Sequence, residues 1–403
     1  MSEISKIIAR KIIDSRGNPT VEVEIYYEGK LLGMAAAPSG ASKGKFEVKD
    51  YPNNNIDEGI IKFNDVVSKK LVGMNLGDQK NFDKKLHEID MSENFSNIGG
   101  NVAIAASLSY AKASAKLENL WLFEYVGKNN QVFKLPKPLG NIIGGGKHAI
   151  NGTVMQEFLA VSSGKNYESS AFANVMVHKK VGEILKSKFP ELSLGLGDEK
   201  AWVAPLKDIE AFQILSDAIK SISEKTGVEI GLAVDLAASE FYDNGKYQYK
   251  DKSLSTDEQI EYISQLVKQF NIKIIEDPLD EEDFEGFGKL TKKIGNETLI
   301  VGDDLFVTNK ERLQKGISLS SGNAILIKPN QIGTLSDMID TVILAKKNNY
   351  ESVISHRSGE TEDTSIAHLA VGLGISYIKT GTVGGERTAK HNELIRIEQK
   401  IKK

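Results

Sequence analysis

The feature that most constrains the fold is a repeat of short apolar strands, each followed by a segment with helical spacing. The runs "IKIIEDP", "TLIVGDD" and "NAILIKPN" precede helical segments at 281–294, 309–315 and 334–347. Two more units have the same form, "EIGLAVDLA" before 256–269 and "ESVISHRS" before 361–373. This alternation predicts an α/β fold with a parallel sheet, either open or closed into a barrel. The unbroken apolar runs are typical of strands covered on both faces.

The amino-terminal third has a different pattern. Residues 5–37 alternate with period two around Glu28-Gly29-Lys30, which predicts a β-hairpin. Helical spacing recurs at 57–70 and 79–88, and the alanine-rich "NVAIAASLSYAKASAKLENLWLFEYVG" predicts one long helix. The polar stretch "GKNNQVFKLPKPLG", with its two prolines, then interrupts the pattern. We expect a domain boundary there.

The composition argues against several classes of protein. A formal net charge of −4 gives no sign of a nucleic-acid-binding surface. The absence of cysteine excludes disulfides and thiolate metal ligands, and fits a reducing cytosol. The first residues lack the apolar run of a signal peptide, and no window approaches the roughly 18–20 apolar residues of a transmembrane helix. We therefore expect a cytoplasmic protein with no transmembrane segment and no need for nucleic acid.

Each predicted strand of the second part ends on a polar residue. These residues are Asp235, Glu276, Asp303, Lys328 and His356. In a barrel of alternating strands and helices, the carboxyl ends of the strands converge on one mouth, where the active sites of such folds lie. One polar strand end would be unremarkable, but five in the same position indicate a functional site.

The three acids predict a cation site. Carboxylates that converge in a region of low dielectric constant repel one another unless a cation lies between them. Oxygen ligands favour a hard ion, Mg²⁺ first and Mn²⁺ second, and no HExxH spacing suggests a histidine zinc site. Lys328 beside such an ion would have a lowered pKa and could act as a neutral base. An ion pair between Lys328 and one of the acids is the alternative, and spacing leaves both open.

Three further motifs carry candidate residues. Glu199 in "LGLGDEKAWVAP" is either a general acid kept protonated by burial or part of a surface turn. "GNIIGGGKHAI" fails the spacing of a phosphate-binding P-loop, and we interpret it as a mobile loop that places His148. In "SHRSGETED", Arg357 and Ser358 suit an anion site, with a surface ion pair as the alternative for the arginine.

The sequence resembles the enolase family nearly from end to end. The matching stretches include "DSRGNPTVEVE", "PSGAS", "GGGKHA", "DLAASEFY", "IEDPLDEEDFEGF", "VGDDLFVTN", "IKPNQIGTLSD", "SHRSGETEDT" and "RTAKHNELIRIE". "SHRSGETED" and "IKPNQIGTL" are the most specific of these. "TVGGERTAK" makes the chain look closer to archaeal enolases than to the bacterial or eukaryotic pattern.

The resemblance implies a fold and a reaction. It implies an α+β amino-terminal capping domain at 1–132, a catalytic (β/α)8 barrel of the modified enolase type at 133–403, and a homodimer or octamer. The implied activity is that of a phosphopyruvate hydratase, the glycolytic and gluconeogenic lyase that interconverts 2-phospho-D-glycerate and phosphoenolpyruvate plus water. Two Mg²⁺ per active site are implied as cofactors. Some enolases also occur at the cell surface, and the sequence carries no readable trace of such a role.

The resemblance also assigns roles by position. Lys328 matches the base that removes the C2 proton, and Glu199 matches the acid that assists loss of the C3 hydroxyl, with Glu157 near it. The implied metal ligands are Asp235, Glu276 and Asp303, with Ser42 for a second ion that arrives with substrate. The implied substrate contacts are Arg357 and Ser358 to the phosphate and Lys379 to the carboxylate, supported by His148 and His356.

Two substitutions depart from the family pattern. Lys43 stands where the family usually has threonine, and Lys200 follows Glu199 where glycine is usual. Neither removes a ligand or the base, so we expect them to affect loop closure and the surroundings of the acid.

Two other functions compete with a phosphopyruvate hydratase. An enzyme of the same superfamily could abstract an α-proton from a different carboxylate, and would be indifferent to Arg357→Ala. A catalytically silent relative could serve as a binding or structural protein. Retention of the base, the acid and the three carboxylates argues against the silent relative.

Overall fold

The amino-terminal region is a three-stranded antiparallel sheet covered by helices. The computed structural model describes residues 2–41, 43–128, 130, 132–149 and 152–402, apart from the side chain of His148. Strands β1 (Lys6–Ile13), β2 (Pro19–Tyr27) and β3 (Lys30–Ala36) pair in chain order. The predicted hairpin is present, and its turn places Glu28 and Gly29 at positive φ.

The helices of this region are α1 (Ile56–Lys62), α2 (Ser68–Leu71), α3 (Gln79–Asp90), α4 (Gly100–Leu117) and α5 (Leu122–Val126), with a π turn at Phe63–Val67 between the first two. The prediction of one long helix through α4 and α5 is wrong. The helix ends at Leu117, and Asn119 takes a left-handed φ of 58° that cannot continue it. Helix α4 packs closely against β3. A Cβ on Gly33 of β3 would lie only 2.0 Å from the carbonyl oxygen of Ser109 in α4, so this contact requires glycine.

The remainder of the chain forms a closed barrel with peripheral strands. The strands are β4 (Lys137–Gly144), β5 (Glu157–Ser163), β6 (Gly195–Leu196), β7 (Trp202–Val203), β8 (Glu229–Asp235), β9 (Tyr242–Asp243), β10 (Lys246–Gln248), β11 (Ser253–Leu254), β12 (Ile272–Glu276), β13 (Leu299–Gly302), β14 (Ala324–Ile327), β15 (Glu351–Ser355) and β16 (Tyr377–Lys379). The barrel order is β4-β5-β8-β12-β13-β14-β15-β16, and β16 pairs with β4. This pairing decides between the open sheet and the barrel in favour of the barrel.

The surrounding helices are α6 (Tyr167–Lys188), α7 (Asp208–Thr226), α8 (Thr256–Phe270), α9 (Phe284–Ile294), α10 (Lys310–Leu319), α11 (Leu335–Lys347), α12 (Ser365–Gly372) and α13 (Gly385–Ile401). The predicted helical segments are confirmed, with later starts for α9 and α12. Helix α9 begins after Asp283, whose carboxylate accepts the backbone N–H of Gly286 at 2.7 Å and caps the helix. No helix in the described part of the chain is both long and apolar enough to cross a membrane.

One strand of the barrel is reversed. Strand β5 is antiparallel to both of its neighbours, β4 and β8, whereas the other barrel pairs are parallel. The first residue of β5 therefore lies at the same mouth as the last residues of the other strands. The chain leaves β5 at the opposite end, so α6 runs back towards the mouth and α7 returns. The connection between these two helices, residues 189–207, thus lies at the mouth.

Candidate active site

The structure brings the five predicted polar strand ends to one mouth of the barrel. Asp235 and Glu276 are the last residues of neighbouring strands and pair with each other in register. Asp303, Lys328 and His356 each directly follow a strand. All but Lys328, which is half-buried, are buried. Parallel register thus places three carboxylates, an amine and an imidazole around one centre.

Lys379, the last residue of β16, lies among these acids. Its Nζ donates to Asp235 Oδ2 at 3.0 Å and to Glu276 Oε2 at 2.8 Å, and lies 3.3 Å from Glu157 Oε2. Burial lowers the pKa of Lys379, but Asp235 and the two glutamates outweigh burial and raise it well above its ordinary value. The ammonium group therefore acts as the counter-ion of this acidic cluster.

The donor set fits a hard divalent ion. Burial and the neighbouring Asp235 raise the pKa of Glu276 well above its ordinary value. The charged form of these carboxylates therefore needs a nearby positive charge to stabilise it. Glu276 Oε1 is buried and finds no hydrogen-bond donor among the residues that the structure describes. An oxygen-only set with an unfilled, buried carboxylate oxygen suits Mg²⁺.

A second acidic group lies at the same mouth. Ligand oxygens of Asp277, Asp303 and Asp304 lie within 4.8 Å of one another. Asp277 uses its two oxygens to accept the backbone N–H groups of Asp303 and Asp304, each at 2.8 Å. We therefore regard Asp277 as a brace for the Asp303 loop. Asp303 acts electrostatically on Glu276, but in the described part of the chain the predicted ligands Asp235, Glu276 and Asp303 do not all approach one another as closely as this second group does.

Lys328 forms an ion pair with Asp303, which was one of the two alternatives left open by the sequence. Burial lowers the pKa of Lys328, but Asp303 outweighs burial, so the pKa is raised and not lowered as expected for a neutral base. Asp303 also accepts a hydrogen bond from Gln331 Nε2 at 2.9 Å. The Lys328 amine is therefore held at the mouth by its ion pair with Asp303.

The two glutamates proposed for acid chemistry reach the mouth because β5 is reversed. Glu157 begins that strand and pairs in register with Asp235. Glu199 lies in the α6–α7 connection, between β6 and β7, and β7 pairs with β4 where Trp202 meets Ile143. Glu199 is 4% exposed and accepts a hydrogen bond from Asn141 Nδ2 at 3.1 Å. The alternative of a surface turn for Glu199 is therefore wrong.

The turn after β15 carries the predicted anion site. Arg357 makes a two-pronged contact with Glu47, with Nη1 to Oε2 at 2.9 Å and Nη2 to Oε1 at 3.0 Å. Its Nη1 also donates to Asn330 Oδ1 at 3.0 Å. The ion pair that the sequence allowed is present, but it is buried and joins the amino-terminal region to the barrel. Ser358 Oγ accepts the backbone N–H of Ala41 at 2.6 Å, so the same turn also holds the "SGAS" loop.

Arg387 is a site residue that the sequence reasoning missed. It is 0% exposed, and its Nη1 lies 2.7 Å from His356 Nδ1 and donates to the Arg357 carbonyl oxygen at 2.6 Å. Its Nη2 donates to the Ser358 carbonyl oxygen at 2.7 Å. Burial lowers the pKa of His356 to about 4. The signal was the "RTAK" stretch, which matched the family without an assigned role.

The two departures from the family pattern both lie outside helices and strands. Lys43 pairs with Asp50 on the surface of its own loop. Lys200 takes a left-handed φ of 61°, which explains why glycine suits that position. The predicted Ser42, and the side chain of the predicted His148, lie outside the described residues.

Comparison with known proteins gives consistent matches over the whole chain. Residues 4–126 match the family described as "Enolase, N-terminal domain", and residues 132–403 match "Enolase, C-terminal TIM barrel domain". Curated relatives named "Enolase" include those of Picrophilus torridus, 49% identical, and Thermoplasma acidophilum, 48% identical. These alignments cover 99% of both chains and 98% of both chains, respectively. The polar mouth of this modified barrel, its amino-terminal region and these matches agree, and the chain belongs to the enolase family.

Proposed function

We propose that this chain interconverts 2-phospho-D-glycerate and phosphoenolpyruvate plus water as a phosphopyruvate hydratase. The observation that carries the proposal is the meeting of a buried acid, an amine, three carboxylates and a guanidinium at one barrel mouth. A base, an acid and an anion contact are what elimination of water from a phosphorylated hydroxy acid needs.

Asp235, Glu276 and Asp303 would hold one Mg²⁺, and Ser42 would help to hold a second that arrives with substrate. When bound, these ions would supply positive charge against the carboxylate and the negative charge that develops at C2. Lys379 adds to that charge from the chain itself, since it already lies among the acids as a buried ammonium group. We assign it to the substrate carboxylate.

Proton transfers are assigned to two groups. Lys328 accepts the C2 proton, for which its Nζ must first give up its contact with Asp303 and its own proton. Glu199 donates a proton to the C3 hydroxyl, which then leaves as water. Arg357 and Ser358 bind the phosphate, and the phosphate must share Arg357 with Glu47 or displace it. Glu157 and His356 adjoin the acid.

Further assignments follow from membership of the family. We assign residues 1–132 to an amino-terminal capping domain and residues 133–403 to the catalytic barrel. We propose a homo-oligomer, either a dimer or an octamer, in the cytoplasm. His148 is assigned to the loop that closes over the substrate.

A direct assay tests the proposal. Formation of phosphoenolpyruvate from 2-phosphoglycerate is followed by its ultraviolet absorbance with Mg²⁺, with EDTA, and with Mg²⁺ restored. We expect activity that EDTA abolishes and Mg²⁺ recovers. Purified, folded protein with no metal-dependent turnover would refute the function. Arg357→Ala should weaken substrate binding, and an unchanged KM would point instead to a substrate without a phosphate.

A further inference from the structure

We propose that Arg387 is a positioning residue that holds His356 in the tautomer with its proton on Nε2, so that this N–H faces Glu199. The inference rests on the proposed function, since it gives Glu199 a partner during the loss of the C3 hydroxyl. It concerns a residue to which the assignments above give no role in the reaction.

The contact between Arg387 and His356 decides the tautomer. A guanidinium group has five N–H donors and no acceptor. Its Nη1 lies 2.7 Å from His356 Nδ1, so Nδ1 must offer a lone pair and cannot carry a proton. A neutral imidazole then carries its proton on Nε2. The same contact opposes the imidazolium form, in which both nitrogens are donors.

The other side of the ring faces the proposed acid. His356 Nε2 is buried and lies 3.4 Å from Glu199 Oε2, but it makes no hydrogen bond to a described residue in the structure. The largest effects of charged groups on this ring come from Glu199, Arg387 and Glu360. The ring itself is 2% exposed, and burial favours its neutral form. His356 is therefore neutral at working pH, and its Nε2 lies on the side of Glu199, where an N–H can donate once the carboxylate forms.

The position of Arg387 makes this arrangement rigid. The residue lies in the first turn of α13, and its backbone N–H donates to the Gly384 carbonyl oxygen at 3.1 Å. Its Nη1 and Nη2 also donate to the carbonyl oxygens of Arg357 and Ser358. One buried side chain thus orients both the imidazole beside the acid and the turn that carries the proposed phosphate contacts.

The tautomer matters for the elimination step. When the C3–O bond breaks, the electron pair left at C2 forms the C2–C3 double bond, and the Glu199 proton goes to the departing oxygen to form water. Glu199 is then a buried carboxylate, and an N–H donor from His356 stabilises that charge. The other tautomer would present a lone pair to the carboxylate and would destabilise it.

The first experiment uses the wild-type protein, so it does not depend on a variant that folds. NMR of protein labelled with ¹⁵N-histidine identifies the tautomer, and His356→Asn assigns the signal. We expect the Nε2–H form, with no titration from pH 6 to pH 8. An Nδ1–H tautomer, or an imidazolium in this range, would overturn the inference.

The second experiment compares variants. Arg387→Met removes the donors, and we expect a mixture of tautomers and a loss of kcat of roughly 10–100-fold, the range found for partners that orient metal-ligating histidines. Arg387→Lys keeps one donor and should recover part of kcat and the tautomer. Arg396→Gln, on the exposed face of the same helix, is the matched control and should match wild type in both readouts. A folded Arg387→Met with the wild-type tautomer and kcat would overturn the inference.

The two proposals fail in different ways. If wild-type protein shows the Nε2–H tautomer but no phosphoenolpyruvate formation, the proposed function fails and the positioning of His356 stands. If turnover is present but His356 carries its proton on Nδ1, the reverse holds.

Discussion

The buried pair between Glu47 and Arg357 gives the sharpest prediction. The two side chains are only 4% and 3% exposed, and the pair joins residues 310 positions apart. Glu47→Gln keeps the shape and one acceptor oxygen but removes the negative charge. Removing one partner of a buried pair costs about 3–5 kcal/mol. Asp303 still attracts the guanidinium, so we expect the low end, about 3 kcal/mol.

Urea unfolding, followed by circular dichroism with and without Mg²⁺ and 2-phosphoglycerate, measures this loss. Without ligand, the variant should unfold at a lower urea concentration than wild type. With ligand, it should recover more stability than wild type gains, because the phosphate dianion supplies the charge that Glu47 no longer provides. A difference of about 3 kcal/mol corresponds to roughly 100-fold in the equilibrium constant.

An exposed carboxylate in the same chain provides the control. Glu183→Gln removes a carboxylate that is 68% exposed and paired with Lys180, and it should cost less than about 1 kcal/mol. Equal unfolding curves for Glu47→Gln and wild type would show that the buried charge is not needed. A ligand effect identical in both proteins would show that phosphate does not meet Arg357.

Three further predictions concern the base, the loop of the acid and the response to pH. Lys328→Ala should lose turnover while calorimetry still detects Mg²⁺ binding, and near-wild-type activity would overturn its assignment as the base. At position 200 the left-handed backbone strains a lysine by about 1 kcal/mol. Glycine relieves this strain, but its greater freedom in the unfolded chain cancels about half of the gain in stability. The urea midpoint should therefore be highest for Lys200→Gly, lower for wild type and lowest for Lys200→Val. The reverse order would refute the proposed strain at Lys200. The pKa of His356 falls from an ordinary value of 6.5 to about 4, so the unfolded chain binds its proton first as the pH drops. Stability should be intact above pH 6.5 and decline towards pH 4 by up to about 3 kcal/mol from this residue, and a decline just as steep in His356→Asn would contradict the argument.

The alternating α/β fold and the polar strand ends could be predicted because both depend on local signals, whereas closure of the sheet into a barrel was implied only by the family resemblance. Apolar runs that end in charge are visible without tertiary structure, and parallel strands place their carboxyl ends together. The direction of β5 could not be predicted in this way. A strand that is buried on both faces has the same apolar pattern whichever way it runs, and its neighbours decide its direction.

Contacts between residues distant in sequence could not be predicted either. Nothing local marks Glu47 as the partner of Arg357, or Arg387 as the donor to His356, because each pair forms only when separate segments pack together. The end of α4 near Asn119 was missed for a related reason. Apolar residues at helical spacing continue beyond Leu117, so the sequence pattern does not show where the chain turns.

Because β5 is reversed, the proposed acid and the proposed base lie in different kinds of segment of the chain. The proposed acid, Glu199, lies in the connection between α6 and α7, whereas the proposed base and metal ligands lie at the ends of the repeating strands. A chimera that exchanges residues 189–207 alone is therefore expected to change the leaving group while it keeps the residues proposed to break the C–H bond. Diversification of such a barrel can proceed one segment at a time.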